Sequence, residues 1–228
     1  MGSIKFEKIE GALSKDEVDK IEKLMVEQIS FSTGKRLGSV KLYHTLPDSI
    51  HQIMLSKKGA RVFQRESVEQ ILAMPFFLKL LNRFENFTVS NIVTETYESE
   101  TEEIYFRLVR PWQTSDVGCP HCDFWFHQAY GLEYAGRGNT WKCWIPITIE
   151  LFKSGLEMYP EASIDKVEYT VQDRKLSCDK HQPSLGEPVL VPVQPGDMLI
   201  FRDDVIHSGA INEGSSTRSS IEITFINK

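Results

Sequence analysis

From Phe87 towards the C-terminus, apolar residues recur at every second position in short runs, whereas before it they recur at helical spacing. This change of period limits the fold. Alternation sends successive side chains to opposite faces of a strand, and a 3.6-residue repeat lines them along one stripe of a helix. Ser14-Lys15-Asp16-Glu17 has capping-box spacing, and Val18, Ile21, Leu24, Met25 and Gln28 extend it into the stripe of a helix over about 15–29. Ser67 can cap a second helix running through about Asn86, which Pro75 should bend or divide. Between them, the stretch from Phe31 to Gln64 is broken by Gly34, Gly38, Pro47 and Gly59. It reads as a long loop region overhanging a pocket, with His44 and His51 as surface residues.

The candidate strands are Phe87–Tyr97, Glu103–Arg110, His121–His127, Thr140–Ile149, Leu156–Tyr159, Val167–Val171, Pro188–Val193, Asp197–Phe201 and Ser219–Ile226. Helices first and short strands afterwards predict an all-β core with flanking helices, not alternating βα units. The expected architecture is a double-stranded β-helix, a cupin-like jelly roll, with the N-terminal helices packed outside. A chain of 228 residues fits one such domain, helical over 1–86 and jelly roll over 87–228.

The net charge of -6 argues against nucleic acid or an anionic membrane as partner, since phosphate binding needs a basic footprint. No apolar run has the form of a signal peptide or the length of a membrane span, so the expected location is cytoplasmic. In that reducing compartment the four cysteines are expected to remain thiols.

The densest chemistry lies in Cys119-Pro120-His121-Cys122-Asp123-Phe124-Trp125-Phe126-His127. Read as a strand, it puts His121, Asp123, Trp125 and His127 on one face and Cys122, Phe124 and Phe126 on the other. A neighbouring imidazole and carboxylate leave most of a metal's coordination sphere open. One more histidine completes the 2-His-1-carboxylate face of non-haem iron(II) oxygenases. His207, at the end of the buried run Met198–Phe201 and the polar segment after it, is the candidate. A Cys-x-x-Cys at Cys119 and Cys122 with Cys178 and His181 offers a competing zinc knuckle, which needs the same segment.

Eleven residues past His207 comes Arg218, sharing one strand face with Ser220, Glu222 and Thr224. An arginine on an inner face calls for a carboxylate partner, which its planar fork binds bidentately. Arg107 and Arg110 also interrupt an apolar strand. Alternation lets only one of them face the cavity, to hold an acidic substrate group or to pair with Glu102 or Glu103.

Taken jointly, His121-x-Asp123, the distal His207 and Arg218 eleven positions later resemble the phytanoyl-CoA dioxygenase-like branch of the iron(II)/2-oxoglutarate-dependent oxygenases. Trp144-Ile145-Pro146-Ile147-Thr148 and the segment from Ser154 to Ser163 are similar to two further segments of that family. The resemblance spans about Glu103 to Phe225. It implies that His121, Asp123 and His207 hold Fe(II), that Arg218 anchors the distal carboxylate of 2-oxoglutarate, and that Trp144 belongs to the same subsite. Some relatives have a serine two residues after the distal histidine; here Gly209 stands there, and Ser220 is the physical substitute. It further implies a hydroxylase that uses O2 and 2-oxoglutarate on an unactivated C–H bond of a small molecule. Asp123 favours that over halogenation, for which the acid is replaced by a small residue. Trp125, His127 and Tyr130, with Arg107 or Arg110, are the candidate substrate contacts. They describe an aromatic wall with a cationic end, suited to a small amino acid-, phosphonate- or natural-product-like substrate. The alternatives are a jelly-roll binding protein without turnover and an iron oxidase that does not use 2-oxoglutarate.

Overall fold

The computed structural model describes residues 6–57, 59–84, 87–89, 102, 104–129, 137–172 and 175–227. Its first helix, α1 (Lys15–Thr33), begins at the expected capping box: Ser14 accepts from the Glu17 amide, and the Glu17 carboxylate accepts from the Ser14 amide at 2.8 Å. Gly34 ends it in a left-handed conformation (φ 71°) that a glycine reaches without steric cost. Pro75 divides the second predicted helix into α3 (Arg65–Leu72) and α4 (Pro75–Arg83), where it occupies the first turn and needs no amide partner. Ser67 is not its cap, because α3 starts two residues earlier, after Gln64. The expected loop over 31–64 is instead largely ordered, as a 3-10 helix Val40–Thr45 followed by α2 (Asp48–Ser56). Ile50, His51 and Met54 form a short buried helical stripe there, which the glycine breaks on either side obscure.

The strands are β1 (Phe6–Ile9), β2 (Phe87–Val89), β3 (Ile104–Val109), β4 (Thr140–Thr148), β5 (Leu156–Met158), β6 (Thr170–Gln172), β7 (Lys175–Ser177), β8 (Val189–Leu190), β9 (Met198–Arg202), β10 (His207–Gly209) and β11 (Arg218–Asn227). Most of the predicted strands survive, though 167–171 and 188–193 shrink, and of Phe87–Tyr97 only 87–89 falls within the described residues. All strand pairs are antiparallel. One sheet runs β1-β9-β4-β11-β2, with β3 also paired to β11, and a second runs β10-β5-β8. Trp144, Leu199 and Phe201 of the first meet Leu156 and Met158 of the second in a shared apolar cluster.

The large sheet separates two environments. Ile104, Phe106 and Leu108 of β3, Cys143 and Ile145 of β4, and Ile221, Ile223 and Phe225 of β11 pack with α1, α3 and α4. Each such aliphatic or aromatic side chain contributes roughly 1.5–3 kcal/mol by leaving water. The residues between them, Tyr105 and Arg107 of β3, Lys142 and Trp144 of β4, and Arg218, Glu222 and Thr224 of β11, line a chamber on the opposite face. Among the described residues no helix is long and apolar enough to cross a membrane.

Candidate metal centre

His121 and His207 lie directly opposite one another in an isolated antiparallel bridge, each donating its amide to the other's carbonyl (2.9 and 2.8 Å). Their rings are thereby held with centroids 4.5 Å apart. The Nδ1 of His121 is 2.8 Å from the carbonyl of Cys119, and that of His207 is 3.0 Å from the carbonyl of Val205. A carbonyl only accepts, so both Nδ1 atoms carry the proton and both Nε2 lone pairs are left for a metal. Second-layer contacts of this kind fix the tautomer and the ring orientation of metal-binding histidines. One ligand atom from each of His121, Asp123 and His207 lies within 4.8 Å of the others, the only such group among the described residues. The donor set fits a divalent transition metal with open coordination positions.

Asp123 reaches this point by a route different from the expected strand. The segment turns after Cys122, and Asp123 opens a helix, α5 (Asp123–Ala129). An acidic residue is favoured in a first helical turn by the exposed amides there, and the Phe124 amide is bonded to the Asp203 carbonyl at 3.0 Å. Helical spacing then redistributes the aromatic residues. Asp123, Phe126 and His127 line the chamber, while Trp125 is buried away from it, stacked on Tyr169 at 4.1 Å. The assignment of Trp125 to the pocket wall is therefore corrected; alternating aromatic residues imitate a strand, and packing decides otherwise. Tyr130 lies outside the described residues. Cys122 is buried with Trp125, and all four cysteines are free.

The chamber has a volume of about 370 Å³. Burial pulls the His121 pKa down to about 4, with His207 adding to the effect, so the imidazole is neutral and metal-ready at neutral pH. For Asp123, burial alone would raise the pKa, but neighbouring positive charge, that of Lys142 first, outweighs it and holds the group ionised. Lys142 Nζ stands 3.3 Å from Asp123 Oδ2. Neither Lys142 nor Glu222 was a site candidate in the sequence. Their signal lay in the alternation, two residues before Trp144 and four after Arg218.

Arg218 is 3% exposed, and burial lowers its pKa to about 10. Its Nη1 donates to the Gly155 carbonyl at 2.8 Å, and its guanidinium lies 5.8 Å from the Trp144 ring centroid, within cation–π range. Its Nε has no partner among the described residues. Arg218 lines the chamber and is only partly hydrogen-bonded, and a buried guanidinium of this kind fits an anionic guest. Gly209 is closely packed, since a Cβ there would stand 3.3 Å from Val117 Cγ1 and 3.4 Å from Arg218 Nη2. Ser220 is buried with an unpartnered hydroxyl but does not line the chamber.

The two upstream arginines take different partners from those expected. Arg110 grips Asp116 with Nε and Nη2, both at 2.8 Å, and donates to His51 at 2.7 Å, so its fork is already filled. Arg107 lines the chamber and meets Glu222 at 3.2 Å. Among the described residues of the stretch expected to overhang the pocket, 31–64, none lines the chamber.

No protein-family model and no curated protein matches the sequence. Solved structures do share its fold. AviO1 from Streptomyces viridochromogenes Tue57 is 15% identical with a TM-score of 0.57, over 97% of this chain and 89% of that one. EvdO2 from Micromonospora carbonacea var. aurantiaca, solved with 2-oxoglutarate, is 14% identical with a TM-score of 0.60, over 98% and 86%. SnoK, a non-haem alpha ketoglutarate dependent carbocyclase from nogalamycin biosynthesis, is 14% identical with a TM-score of 0.52, over 98% and 79%.

Proposed function

We propose that the protein is an iron(II)/2-oxoglutarate-dependent dioxygenase of the phytanoyl-CoA dioxygenase-like type, built on a double-stranded β-helix and hydroxylating a small polar molecule. The observation that carries this reading is the coincidence, in one chamber, of the His121-Asp123-His207 group with the buried, incompletely partnered Arg218. A simple metal-binding protein has no need of the second feature. That EvdO2 was solved with 2-oxoglutarate and SnoK depends on it supports the same reading.

In this assignment His121 and His207 hold iron through Nε2 and Asp123 through its carboxylate. Lys142 keeps that carboxylate ionised and oriented. Arg218 receives the distal carboxylate of 2-oxoglutarate, and its contact with the Gly155 carbonyl fixes the plane of the fork. Trp144 covers the guanidinium on one side and excludes water from it. When bound, iron and 2-oxoglutarate together supply the activation of O2 and the oxidation of an unactivated C–H bond. The chain itself supplies orientation, charge balance and a small enclosed space.

The test is succinate formation by iron-loaded protein, with and without added 2-oxoglutarate. Succinate that requires 2-oxoglutarate supports the reading. Metal uptake without any succinate favours a binding protein, and oxygen consumption independent of 2-oxoglutarate favours an oxidase.

A further inference from the structure

Once iron and 2-oxoglutarate are assigned, one charged pair on the chamber wall remains without a task. Lys142 stands against Asp123, Arg218 faces 2-oxoglutarate, and Asp116 is already held bidentately by Arg110. Arg107 and Glu222 are left. They are diagonal neighbours on β3 and β11, since Arg107 is paired in register with Ser220 and Tyr105 with Glu222. Their mutual contact uses only Arg107 Nε and Glu222 Oε1, 3.2 Å apart. The remaining guanidinium nitrogens and Glu222 Oε2 have no hydrogen bond among the described residues. The Arg107 side chain keeps 48% of its surface accessible and Glu222 17%, so the pair is presented to the cavity rather than sealed in the wall. Burial would raise the Glu222 pKa, but Arg107 and Lys142 more than compensate, so the wall carries both signs of charge.

Such a pair selects among guests. A simple anion, a phosphonate included, gains Arg107 but meets the Glu222 carboxylate. A simple cation gains Glu222 but meets Arg107. A zwitterion whose charges sit one carbon apart answers both at the 3.2 Å scale of the pair. Tyr105, opposite Glu222 in register, offers aromatic surface near the pair, Phe126 and Phe201 line the same chamber against His121 and His207, and its volume of about 370 Å³ has to hold 2-oxoglutarate as well. We infer that Arg107 and Glu222 form the head-group site of the substrate and that the substrate is a free α-amino acid or an equally compact zwitterion, its carboxylate on Arg107 and its ammonium on Glu222. This inference rests on the function proposed above and narrows it.

The probes are the free L-amino acids with their N-acetyl derivatives and methyl esters, which remove the ammonium and the carboxylate charge respectively. Binding is read anaerobically from the metal–2-oxoglutarate absorption band of the iron-loaded protein, and by calorimetry on the metal-free protein. At least one parent amino acid should bind, with both derivatives weaker by roughly ten- to hundredfold. Glu222→Gln should erase the penalty for N-acetylation, and Arg107→Gln the penalty for esterification, each leaving the absorption band intact. Derivatives that bind as tightly as their parents in the wild-type protein overturn the inference, as does a band that forms normally and responds to no zwitterion. Failure of the band to form overturns the iron/2-oxoglutarate reading instead, and calorimetric discrimination would still establish or refute the head-group site.

Discussion

On β11, Ile221, Ile223 and Phe225 point to the helical layer, whereas Glu222 and Thr224, with Arg218 at the strand's start, line the chamber of the candidate metal centre. The backbone is common to both faces and the selection acts in opposite directions. The helical side removes apolar surface from water and needs only volume and shape. The chamber side keeps charges in a confined space, where each is tolerable only against a neighbour: Lys142 with Asp123, Arg107 with Glu222, Arg218 with a carbonyl and an aromatic ring. One face holds the sheet together and the other leaves interactions incomplete for a guest to finish.

The sharpest way to break this comparison is a truncation on the helical side. Phe225 stacks on Phe84 at 4.8 Å and on Phe77 at 6.0 Å. Phe225→Ala should cost roughly 3–5 kcal/mol of unfolding free energy by denaturant titration, with iron affinity unchanged at temperatures where the variant is folded. On the chamber side the order reverses. Asp123→Ala and His207→Ala should each weaken Fe(II) binding by at least about a hundredfold, roughly 3 kcal/mol, with a smaller loss of unfolding free energy than Phe225→Ala. Wild-type metal affinity in both would refute the assigned centre. Arg218→Lys keeps the charge but loses the fork, so 2-oxoglutarate should bind about tenfold more weakly in a titration of the absorption band. An unchanged titration would move the anchor elsewhere.

The smallest effect tests the rim of the large sheet. Asp203, just past β9, accepts from the amides of Gly138 (2.7 Å) and Thr140 (3.3 Å), yet burial raises its pKa to about 6. A carboxyl whose folded pKa lies above its unfolded value binds more protons when folded. Its contribution to stability is complete below about pH 4 and is lost as pH rises through about 6. Melting of metal-free protein should therefore show the wild type losing about 1–2 kcal/mol relative to Asp203→Asn across that window. A constant difference between the two would remove Asp203 from the titration.

The sequence by itself determined the α1 cap, the break at Pro75, the alternation on β3, β4 and β11, and the three side chains that gather as a candidate metal site, whereas β1 in the expected helical part and α5 in the expected β part cross the division it suggested. These are local properties: side-chain period, capping geometry and donor type are written within a few neighbouring residues. The tertiary structure decided what depends on distant partners. Residues 123–129 are helical, with the Phe124 amide on the carbonyl of the distant Asp203, and helical spacing puts Trp125 in the core instead of on the cavity wall. Arg107 and Arg110 are equivalent as sequence, and only strand pairing gave one a partner inside the chamber and the other a closed bidentate bond with Asp116. Periodicity assigns a residue to a face, but which charge stands opposite is set by register between strands far apart in the chain, because that register fixes which side chains come within contact distance.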